Sequence, residues 1–322
     1  MRLTFFGTAA GLPSKERNVT AQAIARDDAK EWYLIDCGEG TQHRLLYSRY
    51  TLSHLQAIFI THIHGDHMFG LPGLLTSASM QGRTEPLTIC APEGVESFVR
   101  HALACADVTH MPFELIFLRS DQPDFVCKTI DFSVTSHPLS HRVPSFAYAF
   151  EEIPERTSLC QEKLQEMNVP RGPLWGRLQH GEPVELDDGT TVQPEDVLQP
   201  PLPGRFAVIG GDNDQPELLA EVLTKADVFV HEATFTSDVR EKVGRAWMHS
   251  TPAQVAEVAA ASGVKHLVLT HFSNRYQRNP KPGHYHIEEL RTEARERFSG
   301  TIDLAEDMGC WELSRTGEWR KI

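Results

Sequence analysis

The sequence predicts an α/β fold, and three observations carry that prediction. Short apolar segments of strand length alternate with helical ones, one helix with a readable start and stop runs straight into an apolar strand, and the composition can bury a large core. Trp32–Cys37 and Ala57–Thr61 read as strands and Val95–Ala106 as a helix, and Phe206–Gly211, Val228–Ala233 and Leu267–Thr270 read as strands with helices between them. At Ser250-Thr251-Pro252 a hydroxyl can cap a helix whose first turn holds proline, Gly263 ends the run Ala253–Ser262, and the strand Lys265–Thr270 follows at once. With 40% hydrophobic and 23% charged residues in 322, disorder, collagen and a small disulfide scaffold are excluded, and length alone allows one or two domains.

One stretch departs from the alternation. Residues 153–204 are polar and rich in proline and glycine, including Pro-Arg-Gly-Pro-Leu-Trp-Gly and Gln-Pro-Pro-Leu-Pro-Gly, with a short helical piece around Ser158–Met167. A long insertion of this kind is either a solvated connector or a functional surface. Leu174-Trp175 at its centre, expected to be exposed, favours a contact surface.

The longest apolar runs, such as Leu55–Thr61 and Ala226–Val230, fall far short of the roughly 20 residues of a membrane helix, so no span is expected. The start, MRLTFFGTAAG, holds one Arg and an apolar run much shorter than the roughly 7–15 residues of a signal-peptide core, which predicts a cytoplasmic protein. Six cysteines without any C-x-x-C pair suit reduced thiols rather than disulfides or a thiolate metal site. A net charge of −13 opposes indiscriminate binding to a polyanion, so contact with nucleic acid needs local positive patches or bound metal. Sixteen histidines, several of them clustered, point to metal chemistry.

The strongest signal is Thr61-His62-Ile63-His64-Gly65-Asp66-His67, directly after the apolar Ile58-Phe59-Ile60. With period-two alternation His62 and His64 face the same side, and Gly65 lets the chain turn so that Asp66 and His67 reach a neighbouring point. That arrangement can serve two metal ions. Imidazole and carboxylate without thiolate suit zinc first, then manganese or iron. Asp212 and His271, each at the end of an apolar run, are candidates for further ligands, and His137 and His141 compete for another position that spacing alone does not decide.

The motif T-H-x-H-G-D-H resembles that of the metallo-β-lactamase superfamily, and the longer run Thr61–Leu75 is similar to the ribonuclease Z family, the tRNA 3′-processing endonucleases. The likeness extends over nearly the whole chain: FFGTAAGLPSKERNVT, Asp36-Cys37-Gly38-Glu39 with Thr41-Gln42, NVPRGPLWGRLQHG, His231-Glu232-Ala233-Thr234, His249-Ser250-Thr251, and Leu269–Tyr276. This resemblance implies a four-layer αβ/βα sandwich, a single domain over residues 1–322 whose insertion at about 153–204 is a protruding arm that grips tRNA. It implies two zinc ions per subunit, one held by His62, His64 and His141, the other by Asp66, His67 and His271, with Asp212 between them and His137 a bystander. The segment Pro138–His141 followed by Phe146-Ala147-Tyr148 fits the family pattern, whereas Asn213 departs from it, a threonine being usual after the bridging aspartate.

The resemblance further implies a phosphodiesterase that removes the 3′ trailer of precursor tRNA by metal-activated hydroxide attack on phosphorus, leaving a tRNA 3′-hydroxyl and a trailer 5′-phosphate. Asp66 then accepts or orients the proton of the attacking water, and His249, oriented by Glu232, protonates the leaving ribose oxygen. Lys15, Arg17 and Asn18 lie in a loop like the family's P-x-K-x-R-N loop. Arg171, Gly172, Pro173, Trp175 and Arg177 lie at the arm tip, and these and the loop residues, with Arg275, are the expected substrate contacts; Arg275 belongs to a second basic cluster with Arg278, Lys281, His284 and His286 that either faces the acceptor stem or is a solvated loop. The expected partners are precursor tRNA and a second copy of the chain in a homodimer, with no membrane. A small-molecule hydrolase of the same superfamily and a broader RNA 3′ exonuclease are the alternatives.

Overall fold

The strand Trp32–Ile35 shows how the sequence builds two cores from one segment. Trp32 and Leu34 join one apolar cluster and Tyr33 and Ile35 another, because successive strand side chains point to opposite faces. The same division runs through His266–Thr270, where Leu267 and Leu269 face one way and Val268 the other. Strands buried on both faces read as continuous apolar runs, which is why the sequence shows blocks here rather than clean alternation.

The computed structural model describes residues 1–27, 29–154, 158–199 and 204–322. These form two units, Met1–Glu151 with Arg205–Ile322, and Glu152–Gly204. In the first unit, the described residues form two large sheets. The eight-stranded sheet runs, in spatial order, Trp319–Lys321, Cys310–Leu313, Arg2–Gly7, Ala21–Ala25, Trp32–Ile35, Leu55–Phe59, Leu87–Ala91 and Leu115–Arg119. The seven-stranded sheet runs Thr301–Leu304, His266–Thr270, Val228–Glu232, Phe206–Ile209, Ser145–Glu152, Phe132–Leu139 and Val126–Lys128. A cluster containing Phe5, Phe59, Tyr148, Phe150, Val230 and Trp311 draws on both sheets and lies between them. Helices Thr41–Leu45, Leu71–Met80 and Val95–Cys105 bury their apolar residues on the outer face of the first sheet, and Ser237–Val243, Pro252–Ala261 and Glu288–Arg295 do so on the second. The result is a four-layer αβ/βα sandwich.

Two features place the site. Trp32–Ile35, Leu55–Phe59 and Leu87–Ala91 are mutually parallel, as are Phe206–Ile209, Val228–Glu232 and His266–Thr270, and the loops beyond their carboxyl ends carry the polar motifs. Tyr148 stacks edge-on against Phe59 at 5.2 Å and donates its hydroxyl proton to Ile60 O at 2.7 Å, which ties the second sheet to the segment just before Thr61. The helix Pro252–Ala261 starts where the sequence places it, with proline in its first turn. Thr251 caps it in a box with Gln254, and Gly263 turns the chain at φ +76°.

The second unit has a small core of its own: Leu164, Val169, Leu178, Val184, Val192 and Val197. Helices Gln161–Glu166, Pro173–Gln179 and Pro194–Val197 and a two-stranded sheet of Val184–Glu185 with Thr191–Val192 supply it. This corrects the expectation that Leu174 and Trp175 are exposed: both are half-buried against that core, and Trp175 donates its indole N–H to Val169 O at 3.3 Å. Apolar side chains spaced along a proline-rich segment serve the unit's own packing here. In Gln-Pro-Pro-Leu-Pro-Gly, residues 200–203 lie outside the described residues.

Candidate metal centre and active site

Each candidate ligand sits where an interior strand ends. Leu55–Phe59 leads into His62, His64 and the short helix Gly65–Met68 bearing Asp66 and His67; Phe206–Ile209 leads to Asp212; and His266–Thr270 leads to His271, itself held at φ +56°. A non-glycine residue in the left-handed region carries strain that its surroundings must hold in place. Gly38 permits a close approach, since a Cβ there would lie 2.4 Å from Asp66 O.

The donor atoms converge in two groups. In the first, His62 Nε2 lies 3.1 Å and His141 Nε2 3.3 Å from His64 Nδ1, and Asp212 Oδ2 lies 3.6 and 3.7 Å from the two Nε2 atoms. In the second, His67 Nε2 and His271 Nε2 are 3.3 Å apart, and Asp66 Oδ2 is 3.5 and 3.4 Å from them. Asp212 Oδ1 faces this second pair at 3.4 and 3.3 Å. Tetrahedral donors bound at about 2.0–2.1 Å stand about 3.3 Å apart, so these spacings are those of metal-ligand polyhedra. Asp212 Oδ1 is moreover buried with no hydrogen-bond donor among the described residues, a costly state that a cation relieves. The donor set therefore fits a metal centre. His137 stands apart, bonded to Thr135 Oγ1 at 3.0 Å, and His141 is the histidine of that segment that joins the cluster.

The second ring nitrogen of four of these histidines is tied down, leaving the other free to face the centre. His67 Nδ1–H donates to Asp36 Oδ2 at 2.7 Å, and His62 Nδ1–H donates to Thr61 Oγ1 at 3.0 Å. His141 Nδ1–H donates to Met248 O and His271 Nδ1–H to Thr234 Oγ1, both at 3.0 Å. Thr61 in turn donates from its backbone N–H and its hydroxyl to the two oxygens of Asp36, at 2.8 and 2.9 Å. Burial works against charge on His67, but Asp66, Asp212 and Asp36 outweigh it and hold its proton affinity well above the ordinary value. Burial likewise opposes ionisation of Asp66 and Asp212, yet His67 and His271 hold both carboxyls below the usual range. The carboxylates of the pocket are thus ionised and can attract a cation.

Beside the second group, His249 Nδ1–H donates to Glu232 Oε1 at 3.1 Å. Glu232 is wholly enclosed: Ser250 N donates to Oε1 at 2.8 Å, and Thr234 N and Oγ1 donate to Oε2 at 2.9 and 2.7 Å. Burial disfavours the imidazolium of His249, but the Glu232 charge and hydrogen bond prevail and raise its pKa to about 9.

Asn213 binds two parts of the site together. Its Oδ1 accepts from Ser140 N and Gln215 N, each at 3.1 Å, and its Nδ2–H donates to His231 Nε2 at 3.1 Å. A threonine has one hydroxyl in place of this carboxamide and cannot make both kinds of contact at that reach. His231, buried, spends Nδ1–H on Glu232 O at 2.8 Å and serves this scaffold.

The residues expected to meet substrate divide. Lys15 is exposed at the tip of a turn in which Ser14 Oγ accepts from Glu16 N and Arg17 N at 3.2 and 3.0 Å. Arg17 requires a correction: its side chain is turned inward at 6% exposure, over the Phe272 ring at 4.9 Å, with Nη1 donating to Thr8 Oγ1 at 2.8 Å. It holds the loop rather than offering its charge to a phosphate. Asn18 is half-buried and donates to Glu39 O at 2.9 Å. Arg275 is exposed and lines the same 460 Å³ cleft as Asp66, Asp212, His249 and His271. In the second unit, Arg171 lies 5.5 Å over the Trp175 ring, Gly172 and Pro173 are exposed at a helix start, and Arg177 pairs with Glu182 at 3.3 Å. In the sequence Asp36 and Thr234 stand only inside segments that carry the family likeness, and Asn213 only as a departure from it; their contacts with His67, His271 and His231 emerge from the structure.

Comparison with known proteins adds a family. A family profile described as Anti-Pycsar protein Apyc1 matches residues 1–111, which hold His62, His64, Asp66 and His67 but none of the later donors. The chain is 48% identical to a ribonuclease Z of Pseudomonas putida over 317 residues, 98% of each chain. It is 46% identical to a ribonuclease Z of Marinobacter nauticus, covering 100% of this chain and 99% of the relative. Among solved structures, human tRNase Z, short form, superposes with a TM-score of 0.65 at 26% identity, covering 98% of this chain and 100% of the other.

Proposed function

Since the chain belongs to the ribonuclease Z family, we propose that it cuts precursor tRNA endonucleolytically at the 3′ trailer, leaving a 3′-hydroxyl on the tRNA and a 5′-phosphate on the trailer. The observation that carries this reading is the pair of donor groups sharing Asp212, set beside a histidine whose ring Glu232 holds through its Nδ1–H.

His62, His64 and His141 would hold one zinc ion, Asp66, His67 and His271 a second, and Asp212 both. Five imidazoles with carboxylates and no thiolate favour zinc over harder cations, with manganese or iron the next best fit. A bound pair of such ions supplies a water of lowered pKa and neutralises charge on the phosphoryl oxygens. Water adds to phosphorus and the bond to the ribose 3′-oxygen breaks. Asp66, oriented by the Gly11 N–H at 2.8 Å, takes or directs the proton of the attacking water. His249 gives its Nε2 proton to the departing 3′-oxygen, and Glu232 keeps that ring in the right tautomer and direction.

On the same reading, residues 153–204 are the arm that grips the body of tRNA, with Lys15 and Arg275 nearer the acceptor end. The working form is a homodimer in the cytoplasm. Among the described residues no helix is long and apolar enough to cross a membrane. Cleavage of a precursor tRNA with both product ends mapped tests the proposal.

A further inference from the structure

An exposed aromatic side chain stands at the rim of the catalytic cleft with no part in the chemistry described above. Trp247 is 50% exposed, and the guanidinium of Arg142 lies over its ring, 5.2 Å from the centroid. Both line the cleft that holds Asp66, Asp212, His249 and His271. No carboxylate among the described residues forms an ion pair with Arg142. The guanidinium is exposed and lies over a half-exposed indole, so both groups remain open to a further planar partner.

The backbone that carries the pair is tied to the site. Trp247 ends a short 3-10 turn, Arg245–Trp247, and the next residue, Met248, sits at φ +51° with its carbonyl accepting from His141 Nδ1 at 3.0 Å. Arg142 follows His141 directly, and Trp247 precedes His249 by two residues. The platform is therefore fixed by the same backbone that fixes a metal-site histidine and the proton donor. Phe235, edge-on to His249 at 6.0 Å, extends the apolar wall on that side.

We propose that Arg142 and Trp247 form a stacking platform for one nucleobase of the RNA, that of the last retained nucleotide, whose 3′-oxygen leaves. This rests on the tRNA-processing reading and on His249 as donor to that oxygen. The nucleoside attached to the oxygen must lie on the His249 side of the cleft, which is the Trp247 side. Beyond the acceptor stem that nucleotide is unpaired, and its base face is free to stack on an aromatic ring or a guanidinium plane. Such a platform positions the reacting phosphate through binding energy at the adjoining base and tolerates any base, since each has a π-face.

The test uses the full-length, metal-loaded protein and three precursor tRNAs: intact, abasic at the last retained nucleotide, and abasic at the first trailer nucleotide. Trp247→Ala is expected to lower kcat/KM on the intact substrate by roughly 10-fold or more, the scale of one lost base–aromatic stack, with metal content unchanged. Trp247→Phe is expected to recover most of that loss. On the substrate abasic at the last retained position, wild type and Trp247→Ala should cut at the same rate, whereas the trailer abasic site should leave their ratio as on the intact RNA. A full loss from Trp247→Ala on all three substrates makes Trp247 a support for Met248 and His141 and overturns the proposal. So does a loss that disappears only with the trailer abasic site, or no loss at all. If wild type fails to cut the intact precursor, the tRNA reading falls and the platform with it; if it cuts but shows none of this base dependence, the platform alone falls.

Discussion

Glu232 Oε1 accepts the Nδ1–H of His249 at 3.1 Å, and this contact fixes both which nitrogen carries the outward proton and where it points. His249→Ala is expected to lower the rate on precursor tRNA by roughly 10²–10⁴-fold, the scale of a lost general acid, with metal content unchanged. A phosphodiester with a nitrophenolate leaving group needs little protonation and should lose far less. Equal losses on the two substrates would show that His249 positions the phosphate instead.

The same contact sets a pH dependence. A proton donor works while protonated, so activity falls as pH rises through the pKa of His249, which Glu232 raises. In Glu232→Gln that support is gone, the pKa drops, and the alkaline limb of kcat/KM moves to lower pH. An unmoved limb in a folded, metal-loaded variant contradicts the role given to Glu232.

Asp212 faces both donor groups, and its substitution should be felt in both. Asp212→Ala should lose bound metal and phosphodiesterase activity together, as chelation of the wild type should. Thiol-blocking reagents should change little, because no cysteine belongs to the donor clusters found among the described residues. Retention of full metal content by Asp212→Ala would sink its bridging role.

Asp36→Asn keeps the size of the side chain but removes the charge that holds His67 Nδ1–H at 2.7 Å. The expected cost is roughly 10–100-fold in metal affinity or activity, the usual scale for a partner one step behind a ligand. Metal titration of the variant checks it, and an unchanged affinity would make Asp36 a partner of Thr61 alone.

The contrast between Asp212 and Asp36 shows what the sequence can disclose. His62, His64, Asp66, His67, Asp212 and His271 are legible because each follows an apolar run, and the end of an interior strand is where a buried sheet gives up a polar side chain. Asp36 also follows such a run, but its work depends on Trp32–Ile35 lying parallel to Leu55–Phe59, a long-range register that no local pattern reveals. Arg17 misleads for the converse reason: sequence shows a cation in a polar turn, not the Phe272 ring that receives it from more than 250 residues away. Trp175 misleads because six small apolar residues spread over Leu164–Val197 close a core that proline-rich composition hides.

Residues 158–199 lie outside the donor clusters, so replacing them with a short flexible linker should leave the metal centre intact and small phosphodiesters hydrolysed at a similar rate. Precursor tRNA should lose much of its kcat/KM, because remote binding energy positions the reacting phosphate. With more acidic than basic residues in this segment, tRNA binding by the wild type should depend less steeply on salt than a lysine-rich arm would give. A mixed dimer of one arm-deleted and one Asp212→Ala subunit tests whether the arm of one copy serves the other's site. Activity restored by mixing supports that service, and none restored contradicts it.

Cutting of precursor tRNA at the start of its 3′ trailer is the activity proposed for this metal centre. Incubating the metal-loaded protein with an end-labelled precursor tRNA and mapping both fragments tests it most directly. One internal cut is expected, giving a tRNA that ends in 3′-hydroxyl and an intact trailer that begins with 5′-phosphate. A ladder of mononucleotides released from the 3′ end, a 2′,3′-cyclic phosphate on the tRNA fragment, or hydrolysis of small phosphodiesters with the precursor left whole would contradict it.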